Sequence, residues 1–231
     1  MKFLKPIVSY CLFGDDEKYF VGAKKNYALI QELLPRWQMT VIYDSNQYDK
    51  EKIKELQDLG IYLHDINELL KSTSLIKNPN EFSYFWRFFP LSFSTPCIAR
   101  DLDSRITDRE AEYINRWLHT GRKYFIIRDH PWHSEVPAGL FGIWNADISF
   151  MRQLCDYIRS TDIRWGDDQD FLQKFKKSID LDDLYLCDYG NKHYIPRKDK
   201  SLFIGCQLGA DDKPTPGNGV ESFKVLEEMG L

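Results

Sequence analysis

Pro6-Ile7-Val8-Ser9-Tyr10-Cys11-Leu12-Phe13-Gly14-Asp15-Asp16 is a short apolar run stopped by a glycine and two aspartates. A run of this length bounded by turn residues reads as a buried strand entering a loop. From Lys18 to Leu34 the apolar residues Tyr19, Phe20, Ala23, Tyr27, Ile30 and Leu34 fall on one helical stripe, closed by Pro35. Gln38 to Tyr43 is a second strand, turning at Asp44-Ser45-Asn46. A helix over Glu51 to Leu59, ended by Gly60, leads to a third strand at Ile61 to His64. Strands joined through helices pair in parallel, so the chain begins as a doubly wound α/β fold.

Outward from this start the pattern loosens and then returns. Residues 65–95 are less regular: a polar patch from Lys71 to Glu81 precedes the aromatic cluster Phe82-Ser83-Tyr84-Phe85-Trp86-Arg87-Phe88-Phe89. Cys97-Ile98-Ala99 is a short strand running into Arg100-Asp101-Leu102-Asp103-Ser104-Arg105. A helix over Asp108 to His119 follows, with Thr107 as N-cap, Glu110 at its third position and Gly121 as its stop. Lys123 to Ile127 is a strand leading into Arg128-Asp129-His130-Pro131-Trp132-His133. After the glycine-bearing stretch Ala138 to Gly142, helices are expected over Ile148 to Ile158 and Asp168 to Phe175. The residues from Cys206 onward carry Gly, Pro and charges and read as a loosely held tail, so the expected division is a domain over 1–205 and a tail over 206–231.

The chain has 231 residues, 43% hydrophobic and 29% charged, which is globular composition for one domain. Aromatics reach 15%, which serves core packing or stacking platforms for rings. A net charge of −4 argues against a nucleic-acid partner, which needs a basic surface. A mildly acidic protein can still hold a nucleotide diphosphate when a cation supplies the positive charge. The five cysteines are an odd number without CxxC spacing, so a reducing, cytoplasmic setting is expected. The first residues turn acidic too soon for a signal peptide, and no apolar run approaches the roughly 18 residues of a membrane span.

Three segments can carry chemistry. Asp101 and Asp103 follow a strand and precede a helix, which places them at the carboxyl edge of a sheet, where open α/β folds bind ligands. Alternate carboxylates there can share one hard divalent cation, Mn²⁺ or Mg²⁺, or simply make a solvated turn beside Arg100 and Arg105. Trp165-Gly166-Asp167-Asp168-Gln169-Asp170 is either an acid-rich helix N-terminus or a carboxylate site for an acceptor hydroxyl, with Asp168 and Asp167 as the catalytic candidates. Within Arg128 to His133, Pro131 argues against a helical zinc pair, leaving substrate contact or a structural loop.

These segments, in order, resemble a family of GT-A-type glycosyltransferases of polysaccharide synthesis, with members in large algal viruses and bacteria. The matching stretches are SYCLFGDDEKYFVGAKKN, VIYD, FWRF, RDLDSRITDREAEYINRWL, RDHPWH, GLFGIW and GDDQDFL, within residues 7–205. The resemblance implies a mixed, mostly parallel Rossmann-like sheet flanked by helices in a single domain. It implies hexosyl or deoxyhexosyl transfer from a UDP- or GDP-sugar to a glycan acceptor. Asp101 and Asp103 would hold the metal; Tyr10, Leu12 and Gly14 would line the nucleotide pocket; Asp44 would meet base or ribose; Arg87 and Arg100 would face phosphate or ribose. His130 and Gly139 to Trp144 would shape the sugar and acceptor pocket, with Gln169 beside Asp168 on the acceptor side. Relatives carry His-Asp-Ser near the C-terminal strand as a further metal ligand; here the residues are Cys187-Asp188-Tyr189, so Asp188 is the one that fits, and His193 lies further on. Two other readings remain open on the residues. A haloacid-dehalogenase-type phosphatase would use DLDS and GDDQD, and a non-catalytic nucleotide-sugar-binding module would keep the fold alone.

Overall fold

Strands that are apolar at every position send side chains alternately to two faces, so both faces of the sheet need a helical cover. The computed structural model describes residues 5–71, 78–93, 95–191, 193–197, 202–216 and 218–228. Its elements in order are β1 (Ile7–Cys11), α1 (Glu17–Leu33), β2 (Gln38–Tyr43), α2 (Lys50–Asp58), β3 (Tyr62–Asp65), α3 (Ile66–Leu70) and a 3₁₀ run over Pro79–Ser92. There follow β4 (Cys97–Ala99), α4 (Asp108–Thr120), β5 (Tyr124–Arg128), β6 (Phe141–Ile143), α5 (Ile148–Ser160), α6 (Asp167–Lys176), β7 (Leu184–Asp188) and α7 (Asn218–Glu228).

The seven strands form one sheet in the order β3-β2-β1-β4-β6-β5-β7. β6 is antiparallel to β4 and β5, and every other pairing is parallel. This is the expected mixed, mostly parallel sheet in a single α/β domain. Ile7, Ile42, Cys97, Ala99 and Ile126 point to one face, where Phe85, Trp86 and Phe88 of the 3₁₀ run meet Phe150 of α5 and Phe171 of α6. Val8, Tyr10, Val41, Ile98 and Phe125 point to the other, against Phe20 and Ile30 of α1, Leu56 of α2 and Trp117 of α4. Trp117 stacks on Phe125 at 5.0 Å, so truncating it to alanine would cost about 3–5 kcal/mol.

The chain runs from β1 outward to β2 and β3, then returns to β4 on the other side of β1. The order reverses there, so a crevice opens outside the carboxyl ends of β1 and β4. The loop after β4 is pinned from α1. Asn26 donates to the Ser104 carbonyl at 2.8 Å and accepts from Ile106 N–H at 3.1 Å, while Gly22 lets the helix backbone come up to the Leu102 carbonyl.

Several expectations change. Residues 65–95, less regular in sequence, hold α3 and the aromatic 3₁₀ run, whose buried side chains follow the core-packing reading of the aromatics; positions 72–77 of the polar patch lie outside the described residues. Glu110 N–H donates to the Thr107 hydroxyl as expected, but the Glu110 carboxylate turns inward to Arg100 instead of back to the cap. The expected tail is not loosely held over its described part. Cys206, Leu208 and Leu226 are buried together with Phe203, and Leu208 N–H donates to the Asp103 carbonyl at 2.6 Å. No helix among the described residues is long and apolar enough to cross a membrane.

Candidate active site

Asp101, Asp103, Arg87 and Asp168 come from three elements and meet over the carboxyl ends of β1 and β4. Cys11 and Phe13 from the end of β1, Ser83 from the 3₁₀ run and Tyr19 from α1 complete this half of the cleft. A second half continues past Asp101 to His130, Trp132, His133 and Gly139. Arg87, Asp101, Trp165, Gln169 and Gln207 border both halves.

Arg87 is the hub. Its guanidinium lies 3.2 Å from Asp101 Oδ1, donates to Asp168 Oδ2 at 2.6 Å and reaches the Ala138 carbonyl at 3.4 Å. Burial works against its charge, but Asp101 and Asp168 outweigh that and hold it firmly cationic. Asp168 is buried, which raises its pKa, and the Arg87 charge opposes the rise. Asp103 is likewise pushed up, by burial first and by the Asp101 charge second, with Lys18 3.5 Å away pulling the other way. Asp101 is the open member, with its side chain 42% exposed. Two carboxylates that repel each other in a half-dry cleft, offering oxygen only, suit a hard divalent cation. No third His, Cys, Asp or Glu joins them among the described residues, so a cation held there would take its other ligands from substrate oxygens and water.

Gly139 and Arg100 show how the pair is held. A Cβ on Gly139 would lie 1.9 Å from Asp101 Oδ2, so only glycine leaves room for that carboxylate. Arg100 is buried beneath the loop, donating to the Gly139 carbonyl at 2.8 Å and to the Arg105 carbonyl at 3.3 Å, with Nε 2.8 Å from Glu110 Oε1 in a charge contact. It supports backbone and does not face phosphate as expected. Arg105 does the same, donating to the Leu102 carbonyl at 3.0 Å and to Asp212 at 3.1 Å.

Other expected residues stand elsewhere. Tyr10 and Leu12 point into the core beneath, because alternation along β1 gives the cleft Cys11 and Phe13 instead. Gly14, in the left-handed region at φ +87°, turns the chain and accepts from the Tyr48 hydroxyl at 3.0 Å without bordering the cleft. Asp44 is buried, with Oδ1 accepting from Asn46 N–H at 3.0 Å and from Asn67 Nδ2 at 2.8 Å, so it holds its own turn. Trp144 follows antiparallel β6 and so lies at the opposite edge of the sheet, edge-on to Trp117 at 6.2 Å. Asp167 accepts from Arg164 N–H at 2.6 Å and closes the turn into α6, leaving Asp168 as the carboxylate of the cleft. Asp168 also stands in the first turn of α6, where the helix-terminus reading puts it, and borders the cleft as well.

Asp188 is paired with Arg128 at 2.6 Å and borders neither half. Its strand is three inter-strand steps from β4, roughly 14 Å at about 4.8 Å each. Cys187 is buried in the core, and His193 lies against Tyr185. His130 borders the second half, but its Nδ1 accepts from Trp132 N–H at 3.0 Å and its Nε2 lies 2.9 Å from the Ser222 carbonyl, so both nitrogens are used. Sequence reasoning missed Cys11, Phe13, Lys18 and Gln207. Cys11 and Phe13 carried no local signal, because β1 is buried on both faces and its sequence does not show which side reaches the cleft; Gln207 comes from the segment read as a tail and carried no signal.

No protein-family model matches the chain, and no curated protein matches it. Among solved structures, glucosyl-3-phosphoglycerate synthase of M. tuberculosis is similar over 84% of this chain and 74% of its own, at 11% identity and a TM-score of 0.48. The 4-diphosphocytidyl-2C-methyl-D-erythritol synthase of Anaerococcus prevotii is similar over 96% and 99%, at 9% identity and 0.44. The galactosyltransferase LgtC, in complex with donor and acceptor sugar analogs, is similar over 78% and 73%, at 10% identity and 0.41.

Proposed function

We propose that this chain is a glycosyltransferase that moves a sugar from a nucleotide-diphosphate sugar to a glycan acceptor with Mn²⁺ or Mg²⁺. The observation that carries the reading is the meeting of Asp101 and Asp103 with Arg87 and Asp168 in one cleft at the point where the strand order reverses. Asp101 and Asp103 would hold the cation. Bound there, it neutralises the charge that develops on a departing diphosphate. Lys18, 3.5 Å from Asp103, stands ready to meet a phosphate oxygen. Arg87 keeps Asp101 and Asp168 in fixed relation, and Asp168 is the acceptor-side carboxylate. The Cys11 and Phe13 edge takes the nucleotide in place of Tyr10 and Leu12. Residues 1–205 would carry the transferase chemistry, with the segment from 206 on, through Gln207 and Ser222, closing the cleft.

The test is turnover of a panel of UDP- and GDP-sugars with Mn²⁺, for the natural chain and for Asp103→Ala. At least one donor is expected to be consumed, with a loss in the variant of at least about a hundredfold, the scale of removing a charge-stabilising group from a transition state. Equal turnover by both proteins would overturn the assignment. Hydrolysis of a generic aryl phosphate, absent with every nucleotide sugar, would replace it with the phosphatase reading. Tight UDP and Mn²⁺ binding with no turnover of any donor would replace it with the binding module.

A further inference from the structure

Beyond Asp101 the cleft changes character. Trp132 is 53% exposed and Trp165 77% exposed, and both border this second half. An exposed tryptophan leaves a large apolar face in water, and two of them on one cavity mark a surface built for a ligand. The polar groups around them are neutral. Apart from Arg87 and Asp101 at the boundary with the first half, the lining holds no Lys, Arg, Asp or Glu.

The histidines do not alter this. Burial pushes the His133 pKa down to about 3, so the ring is uncharged at neutral pH. Its Nδ1 accepts from Asp129 N–H at 3.1 Å, which leaves the proton on Nε2 as a donor, and no acceptor for it is found among the described residues. Ser134 Oγ, in the same lining, is buried without a hydrogen-bond partner among the described residues. Gln169 and Gln207 add amides on the side shared with Asp101.

Aromatic faces combined with uncharged donors and acceptors match one ligand chemistry, a pyranose ring with its apolar C–H face and its rim of hydroxyls. A nucleotide or a phosphorylated sugar would bring charge that this lining does not balance. Resting on the reading of the first half as the donor site, we propose that Trp132 and Trp165 form the platform for an uncharged hexopyranose at the end of the acceptor. His133 Nε2–H and Ser134 Oγ bond its hydroxyls.

The experiment uses the full chain and reads tryptophan fluorescence during titration with methyl α-glucopyranoside, methyl β-galactopyranoside and methyl α-mannopyranoside, without nucleotide or metal. At least one glycoside is expected to bind the natural chain. Trp132→Ala and Trp165→Ala are each expected to weaken it at least about fivefold, the scale of one aromatic contact, and Trp165→Phe to restore most of the loss. Melting temperatures of the variants, expected to be unchanged at these exposed positions, separate lost contact from lost fold.

Binding of none of the three glycosides, or equal binding by both alanine variants, would overturn the platform. So would tenfold tighter binding of glucose 6-phosphate than of the neutral glycosides. A fall in UDP affinity for Trp165→Ala with glycoside binding intact would give that ring to the nucleobase and likewise end the proposal. UDP and Mn²⁺ binding by Asp103→Ala is followed separately, so that loss of the donor reading and loss of the acceptor platform give different results.

Discussion

A Cβ built on Gly139 would sit 1.9 Å from Asp101 Oδ2 and 2.7 Å from its Cγ, and the obstacle is a side chain already paired with Arg87. The backbone of Gly139 is not in the left-handed region, so alanine is conformationally permitted and the cost falls on the carboxylate. Gly139→Ala is therefore expected to melt within about 3 °C of the natural chain, the scale of a change under 1 kcal/mol at this length. Its affinity for UDP with Mn²⁺ should fall at least about tenfold, because the first of the two carboxylates proposed to hold the cation is displaced. Calorimetric titration checks this, and an unchanged affinity would show that Asp101 does not need its present position. At Gly22 the obstacle is backbone: a Cβ would lie 2.0 Å from the Leu102 carbonyl oxygen. Gly22→Ala must then push α1 off the loop that carries Asp103, an overpacking cost of about 1–3 kcal/mol. Thermal unfolding should show a fall of roughly 3–10 °C.

Between elements, the Arg100–Glu110 contact ties the end of β4 to α4 beneath the aspartates, and its protonation sets a pH dependence. Burial pushes the Glu110 pKa up to about 7 against the Arg100 charge, while the unfolded chain releases this proton near the ordinary glutamate value of 4.5. The folded state holds the proton longer, so the stability it confers is present below about pH 4.5 and is lost as pH rises through about 7. Glu110→Gln removes that titration. The melting temperature of Glu110→Gln relative to the natural chain is expected to rise by on the order of 5 °C between pH 5 and pH 8; a pH-independent difference would mean the pair does not titrate in this window. The same contact shows where sequence reading stopped. Strands Gln38–Tyr43 and Cys97–Ala99 and the limits of α4 could be read from apolar runs, Thr107 and Gly121, since those are local signals. Which parity of β1 reaches the cleft could not, because a strand covered on both faces is largely apolar, Ser9 apart, and its alternation does not show which side is open. β6 is three residues long and contains Gly142, so nothing announced that it runs backwards and carries Trp144 away. Asp101, Asp103 and Asp168 were legible because each closes a strand or opens a helix; Arg100 was misread because its partner is ten residues on, across a loop.

For the molecule as a whole, the segment after residue 205 decides whether the cleft has a wall. Gln207 borders both halves, Leu208 N–H holds the Asp103 carbonyl at 2.6 Å, and the Ser222 carbonyl lies 2.9 Å from His130 Nε2. Cys206, Leu208 and Leu226 are buried, at about 1.5–3 kcal/mol for a fully buried aliphatic side chain. The charge contacts of the segment matter less: Asp212 meets Arg105 and Lys25 but is 46% exposed, and exposed pairs contribute about 0–1 kcal/mol. Asp212→Asn should therefore melt within about 3 °C of the natural chain, whereas a chain ending at residue 205 should lose several kcal/mol and melt roughly 10 °C lower or more. Where it is still folded, at low temperature, the shortened chain should bind UDP with Mn²⁺ at least about tenfold more weakly, since the Asp103 backbone has lost its partner. If the shortened chain instead melts with the full one and binds the nucleotide equally well, residues 206–231 are an appendage to the cleft and not one of its walls.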